Sequence, residues 1–257
     1  MVRLVVDSLA GLSEDYISKN MINCLDINLL DSLGNSIETN SEMEKIVRHG
    51  EKLGVLGSDP KRLISSFKDY IDFYSEPILY IATGTSFTDN YDRVFDYIEV
   101  NDRIRVFNSG TLDAGVQMLV DLAVKERNKG SSLEDIVSKL YIFRYNYLYQ
   151  TAVAKTNNII TPYQNLYIDS AGLINVTQNF KNKSTVLGLM LEDLRLMSSV
   201  IITYSKFNPT ILALILRIKA EYPEIKINHR PCNPALINYM GSEVIMFTCR
   251  RRKKVFK

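Results

Sequence analysis

Four hydroxyls, those of Thr83, Thr85, Ser86 and Thr88, crowd around one glycine, Gly84, where the apolar run from Ile78 to Ala82 stops. A helical pattern follows, with Tyr91, Val94, Phe95 and Ile98 on one face. The stretch reads as strand, polar turn, helix. A helix start leaves backbone N–H groups without intrahelical acceptors and carries partial positive charge. With hydroxyl donors and a glycine that admits close approach, such a turn can receive a carboxylate or a phosphate. The plainer use of the same residues is a βα turn in which Thr88 caps the helix.

Other turns repeat the pattern. The strand Ile104 to Phe107 runs into Asn108-Ser109-Gly110-Thr111-Leu112-Asp113-Ala114-Gly115, ahead of a helix carrying Val116, Leu119, Val120 and Ala123. In Gly57-Ser58-Asp59-Pro60, Asp59 suits the N-cap and Pro60 the first helical position, where its missing N–H costs nothing. Ser58 is thus another hydroxyl at a helix start, and Leu63, Ile64, Phe67, Tyr70, Ile71 and Tyr74 recur behind it at core-facing spacing. The first apolar run, Val2 to Val6, ends in Asp7-Ser8, a pair that either opens a binding loop or caps the next turn.

The elements that must position these turns follow from the periodicity. Ser13-Glu14-Asp15 starts a short helix, Leu25 to Leu30 alternates as a strand, a turn surrounds Gly34, and Ser41 to Lys52 is helical. Ser131 and Glu134 have capping-box spacing ahead of a helix from Leu133 to about Tyr149 that buries Leu133, Ile136, Val137, Leu140, Phe143 and Tyr147. Strands alternating with helices predict a parallel, three-layer α/β sheet for residues 1–150. Ligands of such sheets bind at the carboxyl ends of strands, where the turns at 83–88 and 108–115 both fall.

Residues 151–257 read as a smaller α/β domain of mixed connectivity. Strands are expected at Ala152 to Ala154, Leu166 to Ile168, Val200 to Tyr204, Ile225 to Ile227 and Val244 to Thr248, with a further segment from Ala171 to Thr177. Helices are expected from Ser184 to Met197 and behind the Asn208-Pro209 cap. A cleft between the two halves is the expected ligand site.

Composition and missing motifs narrow the chemistry. Of 257 residues 46% are apolar, enough for a sizeable core. Lysine plus arginine number 31 and aspartate plus glutamate 29, so a net charge of +2 gives no argument for nucleic acid. The basic run Arg250 to Lys254 is expected as a solvated tail. No stretch approaches the ~18 apolar residues of a membrane span, and Met1 to Asp7 reads as a strand, not a signal peptide. The three cysteines, Cys24, Cys232 and Cys249, are far apart and read as reduced thiols of a cytoplasmic protein. His49 and His229, the only histidines, fit no zinc pattern; His49 is expected at the surface and His229 as a satisfied loop residue. There is no Walker loop, no G-x-G-x-x-G, no nucleophile elbow and no carboxylate pair flanking a reactive centre. Hydroxyl turns without a general base point to binding more than to catalysis, with no cofactor and no metal.

The order of these pieces resembles the DegV family of two-domain fatty-acid-binding proteins. Val5-Val6-Asp7-Ser8 with Leu12 is similar to its opening strand. Gly57-Ser58-Asp59-Pro60 stands where the family has Thr-Ser-Gln-Pro. Thr83-Gly84-Thr85-Ser86-Phe87-Thr88 matches its Ser-Gly-x-Ser-Gly-Thr turn. Val106-Phe107-Asn108-Ser109 with Gly115, Ser132-Leu133-Glu134-Asp135-Ile136 and Leu173-Ile174-Asn175-Val176 resemble later segments. The resemblance implies a long acyl chain in an apolar tunnel between the domains, with its carboxylate on the hydroxyl turns. It also implies a separate kinase subunit that phosphorylates the carboxylate.

Carried over, the ligand-binding set is Ser58, Thr83, Gly84, Ser86, Thr88, Ser109 and Tyr239. Gly57 replaces the family's threonine. Tyr239, in Asn238-Tyr239-Met240-Gly241, takes the place of a histidine near the head group, and Lys181 and Lys183 replace a longer basic segment. The expected function is therefore non-enzymatic carriage of a long-chain fatty acid or related lipid. The alternatives are a phosphoryl- or acyl-transfer enzyme using the same cleft, drawing on Asp7, Asp89 and Asp113, and a diverged scaffold that has lost its ligand.

Overall fold

The computed structural model describes residues 1–25, 43, 60–73, 75–97 and 102–252. The turn around Gly34, the helix expected from Ser41 to Lys52, the strand at 26–30, and Gly57, Ser58 and Asp59 lie outside them, as do Tyr74 and Ile98. The chain forms two compact units, the second of which runs on from Tyr145.

In the first unit, β1 (Arg3–Asp7), β2 (Ile22–Leu25), β3 (Ile78–Ala82) and β4 (Ile104–Asn108) pair in parallel in the order β2-β1-β3-β4. β2 begins at Ile22, ahead of the Leu25 expected as the start of the second strand. Helices α1 (Glu14–Lys19), α2 (Pro60–Phe73), α3 (Asn90–Tyr97), α4 (Ala114–Asn128) and α5 (Leu133–Asn146) accompany the sheet. Continuous apolar strands belong to sheets covered on both faces, and Leu4, Val5, Val6, Leu79, Tyr80 and Ile81 are all buried. One face, with Val5, Ile78, Tyr80, Ala82 and Ile104, packs on Leu63 and Phe67 of α2 and Val94 of α3. The alternate residues Leu4, Val6, Leu79 and Ile81 fill the opposite face. The three-layer expectation is met.

Local corrections have local causes. Phe95, expected on one face with Tyr91 and Val94, is 49% exposed and stacks on Tyr91 at 5.6 Å, while Val94 is buried. A short helix presents a narrow stripe, and Val94 fills the contact. The cap of α5 is Ser132, whose hydroxyl accepts from the Asp135 N–H at 3.1 Å; Ser131 instead donates to Glu126. The helix ends at Asn146, so Tyr147 lies beyond it.

The second unit carries a six-stranded sheet in the order β7-β6-β5-β10-β8-β9. Its strands are β5 (Leu148–Lys155), β6 (Tyr163–Ile168), β7 (Ile174–Phe180), β8 (Met197–Tyr204), β9 (Lys226–Pro231) and β10 (Ser242–Arg251). All neighbours are antiparallel except β8 and β9, which enclose the crossover helix α7 (Pro209–Glu221). One face, with Val153, Val200, Ile202, Ile245 and Phe247, packs on α7 and on α6 (Lys183–Asp193). Asn208 caps α7 as expected, accepting from Ile211 N–H at 3.2 Å. A further helix, α8 (Pro234–Met240), was not expected; Asn233 caps it by accepting from Ala235 N–H at 2.9 Å.

The basic run is less a tail than expected. Arg250 and Arg251 complete β10, Arg251 lies over the Tyr149 ring, and Arg252 pairs with Glu224. His229 belongs to strand β9, not a loop; its Nδ1 is 3.4 Å from the Tyr204 hydroxyl and its ring stacks on Phe207. No disulfide joins the three cysteines, and burial pushes the Cys249 thiol far up. No described helix is long and apolar enough to cross a membrane.

Candidate functional site

Parallel pairing of β3 with β4 brings their carboxyl ends side by side, with Ala82 opposite Asn108. The two polar turns that follow are thereby joined. Gly84 N–H donates to Thr111 O at 2.8 Å, and Ser109 N–H donates to Ala82 O at 3.0 Å. The Asn108 amide donates to the Thr85 hydroxyl at 3.1 Å and accepts from Gly110 N–H at 2.8 Å. Gly84 is required by this approach: a Cβ there would stand 2.7 Å from Thr111 N and 2.8 Å from Gly110 C. Gly110 has φ +58°, in the left-handed region that suits glycine. The Arg144 guanidinium packs against it and donates to Asn108 O at 3.0 Å, which sets a cation at the turn.

Beneath the 83–88 turn lies a buried carboxylate. Asp7, at the end of β1, neither opens a loop nor caps the next turn. It accepts from Tyr80 OH at 2.5 Å, from Thr83 N–H at 2.6 Å and from the Asn90 side-chain amide at 3.2 Å. Burial raises its pKa above the usual carboxylate range, against the opposing pull of Tyr80, Thr83 and Asn90. The same burial and the adjacent carboxylate raise the Tyr80 phenol. The Thr83 hydroxyl is buried beside Asp7 and helps slightly to hold its charge, yet makes no hydrogen bond of good geometry.

The turn has donors to spare. Phe87 and Thr88 N–H donate to Gly84 O, and Asn90 N–H donates to the Thr88 hydroxyl at 3.0 Å. Thr88 therefore closes the turn from within, but it is not the helix cap expected: α3 starts at Asn90, and Asp89 O accepts its first helical bond, from Arg93 N–H at 3.1 Å. Thr85 and Ser86 are exposed, and among the described residues no acceptor takes their N–H groups or the Ser86 hydroxyl. Two adjacent N–H groups and a hydroxyl at the carboxyl edge of a sheet are a donor set suited to an anion. Ser109 is buried, and its hydroxyl exchanges hydrogen bonds with Thr111. It shapes the second turn from inside.

Of the expected residues, Thr83, Gly84, Ser86, Thr88 and Ser109 thus fall together in the first unit. Ser58 lies outside the described residues. Tyr239 lies on α8 in the second unit, half-buried, with its phenol pKa raised by burial. It precedes Gly241 (φ +110°), where a Cβ would stand 2.7 Å from Lys155 O, and a bulge at Glu243 (φ +52°). Lys183 is held by that bulge: Glu243 pairs with it at 2.6 Å and with Lys155 at 2.9 Å. Among the described residues no group of histidine, cysteine, aspartate and glutamate could hold a metal ion.

Sequence reasoning left Asp7 between two roles and missed Tyr80, Asn90 and Arg144. The legible signal was a tyrosine inside an otherwise aliphatic strand, Ile78 to Ala82. A buried phenol hydroxyl needs a partner, and Asp7 supplies it.

No curated protein matches the chain. The fold matches that of DegV from Bacillus subtilis, described as a fatty acid binding protein, at 13% identity over 98% of this chain and 99% of that one, with a TM-score of 0.81. It also matches a DegV family protein from Thermus thermophilus, described by its fatty acid binding, at 15% identity over 98% and 99%, with a TM-score of 0.84. A stearic acid-binding protein from Eubacterium ventriosum matches at 16% identity over 98% of each chain, with a TM-score of 0.77. At such identities the likeness shows the fold. The sequence adds a match to the family model described as "Uncharacterised protein, DegV family" across residues 1–160, which hold both joined turns and the Asp7 clasp; the chain belongs to the DegV family.

Proposed function

We propose that the protein binds a long-chain fatty acid, with the carboxylate received by the 83–88 turn. The observation that carries this is the donor set at Thr85 and Ser86, held against the 108–113 turn by Gly84. Hydrogen bonds to a charged acceptor are the strong ones, and Arg144 beside Gly110 adds positive potential. The fatty-acid-binding relatives in the family supply the ligand class. An acyl tail contributes about 0.8 kcal/mol per buried CH₂, so it accounts for most of the affinity and the turn for the choice of head group.

The reading is of a carrier and not an enzyme. Asp7, the carboxylate beneath the turn, is fully buried with both oxygens engaged by its own chain, and Asp89, at the end of the turn, is paired with Arg93 at 2.5 Å. A general base has to reach the proton it removes. By the family resemblance the loaded protein serves a separate kinase subunit, and the compartment is the cytoplasm, in keeping with cysteines that form no disulfide.

Mass spectrometry of the purified protein, native and then after organic extraction, tests the ligand class. A stoichiometric fatty acid supports the reading. A protein that carries none and takes up no added stearate removes it. Ser86→Ala should weaken stearate binding by about 1–3 kcal/mol if its exposed hydroxyl holds the head group; unchanged binding excludes that hydroxyl from the site, and the fully buried Thr83 hydroxyl is no part of it.

A further inference from the structure

The 83–90 turn has no regular ladder to hold it, yet it must keep its donors in one arrangement. Its two ends meet on a single group. Asp7 Oδ2 accepts from Thr83 N–H, the first residue of the turn, and Asp7 Oδ1 accepts from the side chain of Asn90, the first residue of α3. Tyr80 OH, from inside β3, also donates to Oδ1 and fixes the carboxylate from the strand side. Asp7, Thr83 and Asn90 are all fully buried. A buried carboxylate without a cationic partner is a costly feature to retain for stability alone.

From this geometry we propose that Asp7 is a positioning residue for the head-group site. By clamping both ends of the turn, its carboxylate holds the Thr85 and Ser86 N–H groups in the arrangement that receives the ligand carboxylate. The division of labour is visible in the hydrogen bonds. Asp7 takes the Thr83 N–H, Thr111 takes that of Gly84, and Gly84 O takes those of Phe87 and Thr88. The exposed pair in the middle is left for an external anion. Released from Asp7, the turn can redirect those N–H groups, and discrimination between an ionised and a neutral head group falls. This proposal rests on the fatty-acid reading, but the clamp itself can be observed without ligand.

The test compares stearate with methyl stearate, binding of each measured by calorimetry, in wild type, Asp7→Ala and Asn90→Ala. Hydrogen exchange of segment 83–90 is followed in the same proteins without ligand. Losing the arrangement of charge-assisted donors should lower the preference for the acid over the ester by about tenfold in Asp7→Ala and by about threefold in Asn90→Ala. Exchange in segment 83–90 should quicken in both, with strand β6 unchanged. A loss common to acid and ester, an unchanged preference despite faster exchange, or tighter stearate binding would each overturn the proposal. If Asp7→Ala does not fold, Asn90→Ala decides, since it opens the far end of the turn and leaves the Thr83 and Tyr80 contacts in place. If wild type binds no stearate, the fatty-acid reading falls, while the exchange rates still decide whether Asp7 holds the turn.

Discussion

At the scale of single residues, Gly84 and Glu126 show how the same unit uses space and charge. Gly84 is small because backbone of the neighbouring turn occupies the position of its Cβ. Gly84→Ala should destabilise the protein by about 1–3 kcal/mol, as overpacking does, and should weaken stearate binding with it. Thermal unfolding and calorimetry check both; an unchanged pair of values would mean that the turns separate freely. Glu126 is a buried side chain paired with Lys129 at 2.6 Å and Lys139 at 2.5 Å, which hold its pKa down at about 2 from 4.5. A carboxylate with a lowered folded pKa stabilises the native state above its unfolded pKa and loses that contribution as the pH falls through the folded value. Glu126→Gln should therefore unfold more easily than wild type at pH 7, and the gap should close between about pH 4.5 and 2. Urea titrations at pH 7 and pH 2 measure it, and an equal gap at both would show that the ion pairs are not its source.

At the scale of elements, spacing alone misplaces a cap when two candidates adjoin. Ser131 with Glu134 and Ser132 with Asp135 both fit, and the strong acceptors of Glu126 draw Ser131 away. Ser132→Ala should cost about 1 kcal/mol, within the range for losing an N-cap, and more than Ser131→Ala at high salt, where the ionic cluster around Glu126 is screened. Chemical denaturation of the two variants checks the order. Helix α3 carries the same lesson. Its stripe is set by Val94 in the core, and it is supported outside by the Asp89–Arg93 pair and the Tyr91–Phe95 stack. Helix α8 was legible in principle, because Asn233-Pro234 repeats the Asn208-Pro209 signal of α7. Its short length hid the periodicity that makes such a signal convincing.

At the scale of the whole molecule, two units each own a core, and the candidate head-group site belongs to the first. A ligand that binds only the folded protein stabilises it by about 2.7 kcal/mol at a hundred times its Kd. Stearate should accordingly raise the unfolding temperature in proportion to the logarithm of its concentration, and slow hydrogen exchange at 83–88 and 108–113 most. A rise with no added protection at those turns would move the head group elsewhere.

Period and turn chemistry, read from the chain itself, determined the alternation of strands and helices, the parallel sheet of the first unit, and the hydroxyl turns at its carboxyl edge. These are local properties: an apolar run, a glycine, a cap. The family's motifs were legible in the same way, since each is a few consecutive residues. Tertiary structure alone decided that Asp7, Tyr80, Thr83 and Asn90 converge, because strand order places β1 beside β3 and no local pattern encodes that adjacency. It also decided that Thr88 and Ser109 serve the turns from inside while Thr85 and Ser86 keep their donors exposed. A hydroxyl in a sequence announces a donor; only the packed chain determines whether a backbone acceptor has already taken it.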